Sequence, residues 1–226
     1  MKLITISTGS SGNTYLLTNG KETLVLDCGV KFIDAKKALN FQIKGIVGAV
    51  VSHCHGDHAK YTHEYETAGI TVWKPYTMES LRNSTQLGGF KVQSFDLVHN
   101  VPCCGFLISH GDFGKMLYVT DTEYVPYRFR DLSVMLIEAN YDEQYVDKTQ
   151  VKWQHVLTGH MSLTTTMDCI EANKTTYLNH IILCHLSEGN ADSDAFRLAV
   201  SEIAPAGCTV DIAASGLEVE LGEVPF

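Results

Sequence analysis

Residues 52–58 read Ser52-His53-Cys54-His55-Gly56-Asp57-His58 and place three imidazoles and one carboxylate within six consecutive positions. An apolar run precedes this segment and a helical pattern follows it, so a strand-to-helix loop is expected. His53 and His55 project to the same side of extended backbone, while Gly56 lets the chain turn Asp57 and His58 toward a second point. Surface histidines without a ligand role rarely gather with carboxylates in this way, and the segment therefore predicts two metal ions.

Short strand-like segments separated by Gly, Asn and Asp turns recur at 3–7, 14–18, 23–27, 46–51, 70–73, 91–95, 104–109, 116–120, 133–138, 180–184, 208–213 and 217–221. Helical patterns lie between them at 32–40, 57–68, 77–84, 162–174 and 192–203. Packed sheets inside with helices outside, an α/β sandwich, are the physical expectation for such a series.

The pattern H-x-H-x-D-H over residues 53–58 resembles the ligand motif of the metallo-β-lactamase fold superfamily. Seven ordered motifs extend this resemblance over about residues 3 to 221. It implies an αββα sandwich, in which two packed mixed sheets are flanked by helices. No Pro-rich or Ser-rich linker interrupts the chain, so residues 1–226 are expected to form a single domain.

The composition indicates the cellular compartment of the protein and the state of its cysteines. The longest apolar runs fall far below the roughly 18 residues of a membrane span, and no membrane partner is expected. Seven cysteines, an odd number mostly in apolar segments, favour reduced thiols and a cytoplasmic protein. Cys54 and Cys184 adjoin proposed ligands but are expected in the core, because neighbours in extended backbone point to opposite faces.

The superfamily resemblance implies the remaining ligands, each following a predicted strand. Taken alone, His99 fits a loop histidine and Asp121 fits a turn cap, whereas the resemblance makes Asp121 a carboxylate shared by two metals. His185 supplies the last imidazole. One metal is then expected on His53, His55, His99 and Asp121, and the other on Asp57, His58, Asp121 and His185. Ligands rich in nitrogen with some carboxylates favour two Zn²⁺ per subunit, with Mn²⁺ or another divalent ion as the alternative.

Three further side chains take roles from the same resemblance. Asp27 matches the superfamily's first motif, where a carboxylate braces the metal-binding loop from outside the ligand set. Residues 134–142 and 159–162 resemble the glutamate and histidine motifs of the RNase Z and YycJ-like branch. The implied catalytic residues are therefore Glu138, which orients His160, and His160, which protonates the leaving oxygen, together with Asp57. Without the resemblance, His160 fits a packed or helix-capping histidine equally well.

Two segments resemble YycJ-like proteins in particular. Residues 8–14, Thr8-Gly9-Ser10-Ser11-Gly12-Asn13-Thr14, are expected to line the floor of the site with backbone amides. Residues 185–190 resemble an HLS-x-x-N segment, and this resemblance implies that Ser187 and Asn190 lie close to bound phosphate.

The implied reaction is phosphodiester hydrolysis. The formal charge is −9 without a Lys/Arg stripe, and only 63 residues separate Asp121 from His185, too few for the RNA-holding arm or inserted domain of larger relatives. The chain most resembles the phage anti-Pycsar enzymes, which implies hydrolysis of cyclic mononucleotides such as cCMP, cUMP, cAMP and cGMP as immune evasion, in the host cytoplasm if the chain is phage-encoded. The aromatic loop residues that are candidates for stacking on the nucleotide base are Tyr76, Tyr124, Tyr141 and Trp153.

Three alternatives stay open. A YycJ-like DNA or RNA nuclease shares every metal motif but predicts a basic groove, so long nucleic acid is the less favoured substrate. A thioesterase is disfavoured because no C-terminal substrate-binding domain follows. A non-catalytic metal-binding protein is disfavoured because it would not need the Glu138 and His160 pair. The resemblance also implies a homodimer.

Overall fold

The computed structural model describes residues 1–144 and 158–222 of the chain. Its strands are β1 (Lys2–Ser7), β2 (Thr14–Thr18), β3 (Thr23–Leu26), β4 (Ile46–Val50), β5 (Val72–Trp73), β6 (Ser84–Leu87), β7 (Phe90–Leu97), β8 (Cys103–His110), β9 (Gly114–Val119), β10 (Val134–Glu138), β11 (His180–Cys184), β12 (Thr209–Ile212) and β13 (Glu218–Glu220). Its helices are α1 (Phe32–Ala38), α2 (Gly56–Ala59), α3 (Thr62–Thr67), α4 (Leu163–Asn173) and α5 (Ser193–Ile203).

The strands form two mixed sheets. Six strands run in the order β13-β1-β2-β3-β4-β5, and seven run in the order β12-β11-β10-β9-β8-β7-β6. Within the second sheet, β9, β10, β11 and β12 are parallel, while β6 to β9 are joined antiparallel. In the first sheet β3, β4 and β5 are parallel. The parallel strands of each sheet therefore deliver their carboxyl ends to one edge.

Alternating apolar side chains divide the core into three layers. Leu17 and Leu136 belong to the cluster between the two sheets. Leu16, the neighbour of Leu17, points the other way and packs with Phe32 of α1. Ile137 likewise turns outward into a cluster that includes residues of α4 and α5. Both faces of the central strands β3, β10 and β11 are buried, so these strands are apolar almost throughout, whereas β6 and β7 alternate with exposed polar residues. The predicted αββα sandwich is confirmed.

The chain leaves the sheets sharply at the edge where the parallel strands end. Asp27, Asp121 and His185 follow β3, β9 and β11 and adopt left-handed backbone, with φ of 57°, 42° and 55°. Non-glycine residues in this region cost of order 1–3 kcal/mol and cluster at functional sites. The strained positions thus coincide with three of the predicted site residues.

Two predicted helices are wrong in detail. Residues 77–84 were expected to be helical, but residues 78–83 form neither helix nor strand, and strand β6 begins at Ser84 and pairs with β7 across Gly88 and Gly89. The tertiary pairing overrides a segment rich in helix-forming residues. The helix predicted at 57–68 is divided into α2 and α3, because the Tyr61 N–H leaves the helical pattern and donates to the Cys28 carbonyl at 3.0 Å.

Cys54 also departs from expectation, since it is exposed while Cys184 is buried. All seven cysteines are free thiols. Over residues 1–144 and 158–222, no helix has the length and apolar character needed to cross a membrane.

Candidate metal centre

The first group of predicted ligands converges at the carboxyl edge of the sheets. His53 Nε2 lies 3.0 Å from His55 Nδ1, and His99 Nε2 lies 3.2 Å from the same atom. Asp121 Oδ2 is 3.6 Å from His53 Nε2. The four residues each offer one ligand atom, and these atoms all lie within 4.8 Å of one another.

The second group lies on the other side of Asp121. His58 Nε2 is 3.3 Å from Asp57 Oδ2 and 3.2 Å from Asp121 Oδ1. His185 Nε2 is 3.4 Å from Asp57 Oδ2 and 3.6 Å from Asp121 Oδ1. Asp121 thus presents Oδ1 to the second group and Oδ2 to the first. One carboxylate is shared by both groups, as a bridging ligand requires.

These spacings suit metal ions. Ligands placed 2.0–2.2 Å from a tetrahedral zinc ion are about 3.3–3.6 Å from one another. Most of the nitrogen–oxygen separations in the two groups, 3.2 to 3.6 Å, fall in that range. The residues present therefore fit a pair of divalent metal ions, and the two His/Asp clusters are suited to a metal site.

The carboxylates of the site also favour bound cations. Burial acts to lower the pKa of His185, but Asp121, Asp57 and Glu138 outweigh it and raise that pKa to about 10. A cavity of about 270 Å³ opens onto the clusters. Neither Lys nor Arg is among the described residues that line it, which are Ser10, His55, Asp57, His99, Asn100, Asp121, Thr158, His160 and His185. Among these lining residues, only the histidines can carry positive charge to neutralise the carboxylates.

Asp27 lies next to the ligand loop and belongs to neither ligand group. It is fully buried, and its Oδ1 accepts a hydrogen bond from the Ser52 N–H at 2.7 Å. Its Oδ2 accepts from the Ser52 hydroxyl at 3.0 Å and from the Tyr118 hydroxyl at 2.5 Å. His58 Nδ1 lies 2.6 Å from the same oxygen. When a metal takes the Nε2 lone pair of His58, the remaining proton is on Nδ1 and is donated to this oxygen.

Glu138 and His160 form the predicted pair beside the second ligand group. Glu138 Oε1 is 2.6 Å from His160 Nδ1 and 3.0 Å from His185 Nδ1. The two imidazoles are stacked, with ring centroids 5.2 Å apart. Burial acts to lower the pKa of His160, but Glu138 outweighs it and raises the pKa. Burial would raise the pKa of Glu138, but His160 and His185 lower it. The geometry gives a carboxylate that orients a protonated imidazole at the cavity.

The turn over residues 8–14 packs under the second ligand group, in keeping with its predicted place at the floor of the site. Ser10 lines the cavity. The Asn13 N–H donates to the Asp57 carbonyl at 2.7 Å, and the Gly29 N–H donates to the Asn13 carbonyl at 3.0 Å. A Cβ at Gly29 would lie 1.8 Å from the Asp57 carbonyl oxygen. Only glycine permits this contact between the two segments.

Gly29→Ala is expected to lower the free energy of unfolding by at least about 3 kcal/mol, because a backbone clash costs as much as severe overpacking of a core. The Cβ would displace the Asp57 backbone, so zinc content should fall too. Urea unfolding and metal analysis measure both quantities. Gly111→Ala is the matched control, since a Cβ there meets no described atom within 4 Å. Equal stability of the two variants would contradict the packing argument.

Ser187 and Asn190 lie beside each other but do not line the cavity in the described part of the chain. The Asn190 amide donates to the Ser187 hydroxyl at 3.0 Å, and the Ser187 N–H donates to the Asn140 carbonyl at 2.8 Å. Their contact with phosphate stays a prediction. Among the aromatic candidates, Tyr124 is exposed and Tyr141 is buried, whereas Trp153 lies outside the described residues.

Asn140 is a site residue that the sequence analysis missed. Its amide donates to the His185 carbonyl at 2.8 Å and lies 3.2 Å from His185 Nδ1. Ser52 and Tyr118, the partners of Asp27, were missed as well. Ser52 adjoins the ligand loop and Asn140 follows Glu138 by two positions. Their closeness in sequence to these motifs is the feature that could have identified them as site residues. Tyr118 lies within an apolar strand, where no sequence feature marks it as a site residue.

Comparisons with known proteins agree with this fold. A model of the metallo-β-lactamase superfamily matches residues 7–78. The exodeoxyribonuclease YycJ of Bacillus anthracis is 24% identical over 231 residues, covering 88% of this chain and 87% of that protein. The metallo-β-lactamase fold protein YhfI from Bacillus subtilis superimposes with a TM-score of 0.73 at 17% identity, and the match covers 97% of this chain and 99% of YhfI. Human tRNase Z, short form, gives 0.63 at 14% identity over 98% and 99%.

The fold, the match to the superfamily model over residues 7–78 and the His/Asp clusters together define the class: the chain has the metallo-β-lactamase fold and is a hydrolase of that fold. It has weak homology to YycJ-type exonucleases along most of its length and the fold of tRNase Z.

Proposed function

We propose that this hydrolase is a dinuclear zinc phosphodiesterase that opens cyclic mononucleotides to nucleoside monophosphates. The observation that carries the proposal is the Asp121 carboxylate, whose two oxygens face different ligand groups, with the His160–Glu138 pair beside them. Sites of this kind suit in-line displacement at phosphorus, where charge develops on both the attacking and the leaving oxygen.

Zinc ions held by the two groups would ionise a water near neutral pH and neutralise charge on the phosphate oxygens. The chain supplies the remaining functions. His160 is one-fifth exposed and reaches the cavity, where it holds the proton that the leaving ribose oxygen takes up. Glu138 keeps that proton in place, because its hydrogen bond to Nδ1 orients the ring and balances its charge. Asp57 contributes by fixing His58 and His185 on the same side of Asp121.

The preference for a small substrate rests on the shape and charge of the cavity. Its volume of about 270 Å³ lies just below the range of about 300–1,000 Å³ typical of small-molecule sites. No Lys or Arg among the described lining residues is placed to follow a phosphate backbone. The affinity for a cyclic phosphate would then come chiefly from the metals.

The second candidate is an exonuclease that acts on DNA or RNA ends. The 24% identity to YycJ over 88% of this chain favours it. Both candidates use the same ligands and the same proton donor, so they differ in substrate alone.

We place the reaction in the cytoplasm, or in the host cytoplasm if the chain is phage-encoded, where it would erase a cyclic nucleotide immune signal. Seven free thiols support a reducing compartment. The homodimer stays a prediction that analytical ultracentrifugation checks.

The test is a substrate panel. Protein loaded with zinc, and separately with manganese, is incubated with cyclic CMP, UMP, AMP and GMP and with single- and double-stranded DNA and RNA, and the products are chromatographed. We expect nucleoside monophosphates from the rings and intact polymers, and no product from an Asp57→Ala, His58→Ala double variant. Shortened polymers with intact rings would replace the proposal by the exonuclease.

A further inference from the structure

The side chain of Asn13 lies against the second ligand group without belonging to it. It is fully buried. Its Oδ1 accepts from the Gly9 N–H at 2.8 Å, and its Nδ2 donates to the Gly9 carbonyl at 3.1 Å. Only one orientation of the amide satisfies both backbone groups of Gly9. Nδ2, and not Oδ1, therefore faces the ligands.

The second hydrogen of Nδ2 points at two ligand residues. His58 Nε2 lies 3.0 Å away and Asp57 Oδ2 lies 3.4 Å away. With the proton of His58 on Nδ1, beside Asp27, the lone pair of Nε2 accepts from the amide. A metal on Nε2 takes that lone pair, and the Asp57 carboxylate is then the acceptor left for the amide.

Asp57 has little other support. It lies in α2, a helix of four residues, and its side chain remains one-fifth exposed. Apart from Asn13, the partners of Asp57 Oδ2 among the described residues are the imidazoles of His58 and His185, which belong to the same ligand group. Asn13 is thus the neutral donor that ties this ligand to the turn at residues 8–14, and its backbone N–H holds the Asp57 carbonyl at 2.7 Å as well.

We propose that Asn13 is a positioning residue for the second metal site: its amide orients Asp57 and His58 together and so sets the affinity of that site, but not of the first. The inference rests on the proposed two-metal function. The first ligand group lies outside its reach, since among the described residues the Asn13 side chain bonds to Gly9, Tyr15, Asp57 and His58.

The experiment titrates full-length, metal-free protein with Zn²⁺ against a chromophoric chelator and records Co²⁺ absorption at one and two equivalents. We expect Asn13→Ala to bind the first equivalent as the wild type does, and to bind the second about 10–100-fold more weakly, the usual effect of removing a group that orients a ligand. The cobalt bands that appear with the second equivalent should weaken in parallel. Asn13→Ser, which leaves a smaller void and a hydroxyl donor, should fall between the two.

Asn173→Ala is the matched control, because Asn173 is also buried and bonded to backbone through both ends of its amide, to Phe129 N at 2.6 Å and Cys169 O at 2.8 Å. It should lose stability without losing the second metal. Wild-type affinity for the second equivalent in both Asn13 variants, or an equal loss in Asn173→Ala, would overturn the role of Asn13. A wild type that binds one equivalent would instead refute the two-metal function, without any assay of substrate.

Discussion

Asp121→Asn is expected to reduce hydrolysis by at least about 10³-fold, the upper cost of losing a single electrostatic stabiliser, because one substitution removes a ligand from both groups. Asparagine keeps the shape of the side chain and tolerates the left-handed backbone at this position, where φ is 42°. Loss of activity should therefore accompany loss of bound zinc and not loss of folding. Metal analysis of the purified variant, together with its kcat for cyclic nucleotide, measures the effect.

Asp131→Asn is the control for this variant. Asp131 also has positive φ, at 57°, but it is exposed and bonds to no ligand. It should retain both metals and full activity. An Asp121→Asn protein that still binds two zinc ions and turns over normally would show that the carboxylate is not shared.

His160→Ala is expected to lower kcat by about 10²–10⁴-fold, the usual contribution of a general acid. Zinc content should not change, because His160 is in neither of the two ligand groups assigned to the metals. A third cluster joins it to Asp121, Glu138 and His185, but there Glu138 bonds to Nδ1 of both imidazoles. The loss should depend on the leaving group. A cyclic nucleotide releases a basic ribose oxygen that needs the proton, whereas bis-p-nitrophenyl phosphate releases a phenolate that does not.

Steady-state kinetics on both substrates separate a proton donor from a binding residue. His63→Ala, at an exposed histidine whose ring contacts Thr67, provides the comparison and should leave both rates unaltered. If His160→Ala slowed the two substrates equally, His160 would serve binding or packing and the assigned proton transfer would be wrong.

The ligand set was accessible from sequence because each ligand follows a strand that can be recognised. The ligands Asp121 and His185, and Asp27 outside the ligand groups, each follow a buried apolar run, and parallel strands bring such positions to one edge. The resemblance then assigned their roles. The strained φ at all three was not visible, since aspartate and histidine at the end of a strand occur equally with ordinary backbone.

Local pattern failed where a distant contact decides the structure. Residues 77–84 include Met78, Glu79 and Leu81, which suit a helix, yet the Gly88-Gly89 turn pairs Ser84–Leu87 with β7. That glycine pair flanked by apolar residues is a hairpin signal and would have corrected the prediction. Cys54 was placed in the core by strict alternation, but β4 ends at Val50, so alternation no longer applies.

The supporting contacts were the least accessible part of the site. The sequence pattern identifies Asn13 only as a member of a turn, although its amide reaches two ligands that lie 44 and 45 positions further along the chain. Ser187 and Asn190 show the opposite case, because a recognisable segment places them together but turns their side chains toward each other. Such contacts depend on side-chain direction, which spacing along the chain does not fix.

Diffraction from zinc-loaded crystals on both sides of the zinc absorption edge tests the central claim most directly. We predict two anomalous peaks about 3.5–4 Å apart, one on each side of Asp121, with the first contacted by His53, His55 and His99 and the second by Asp57, His58 and His185. A single peak, or two peaks that do not share the Asp121 carboxylate, would contradict the two-metal site.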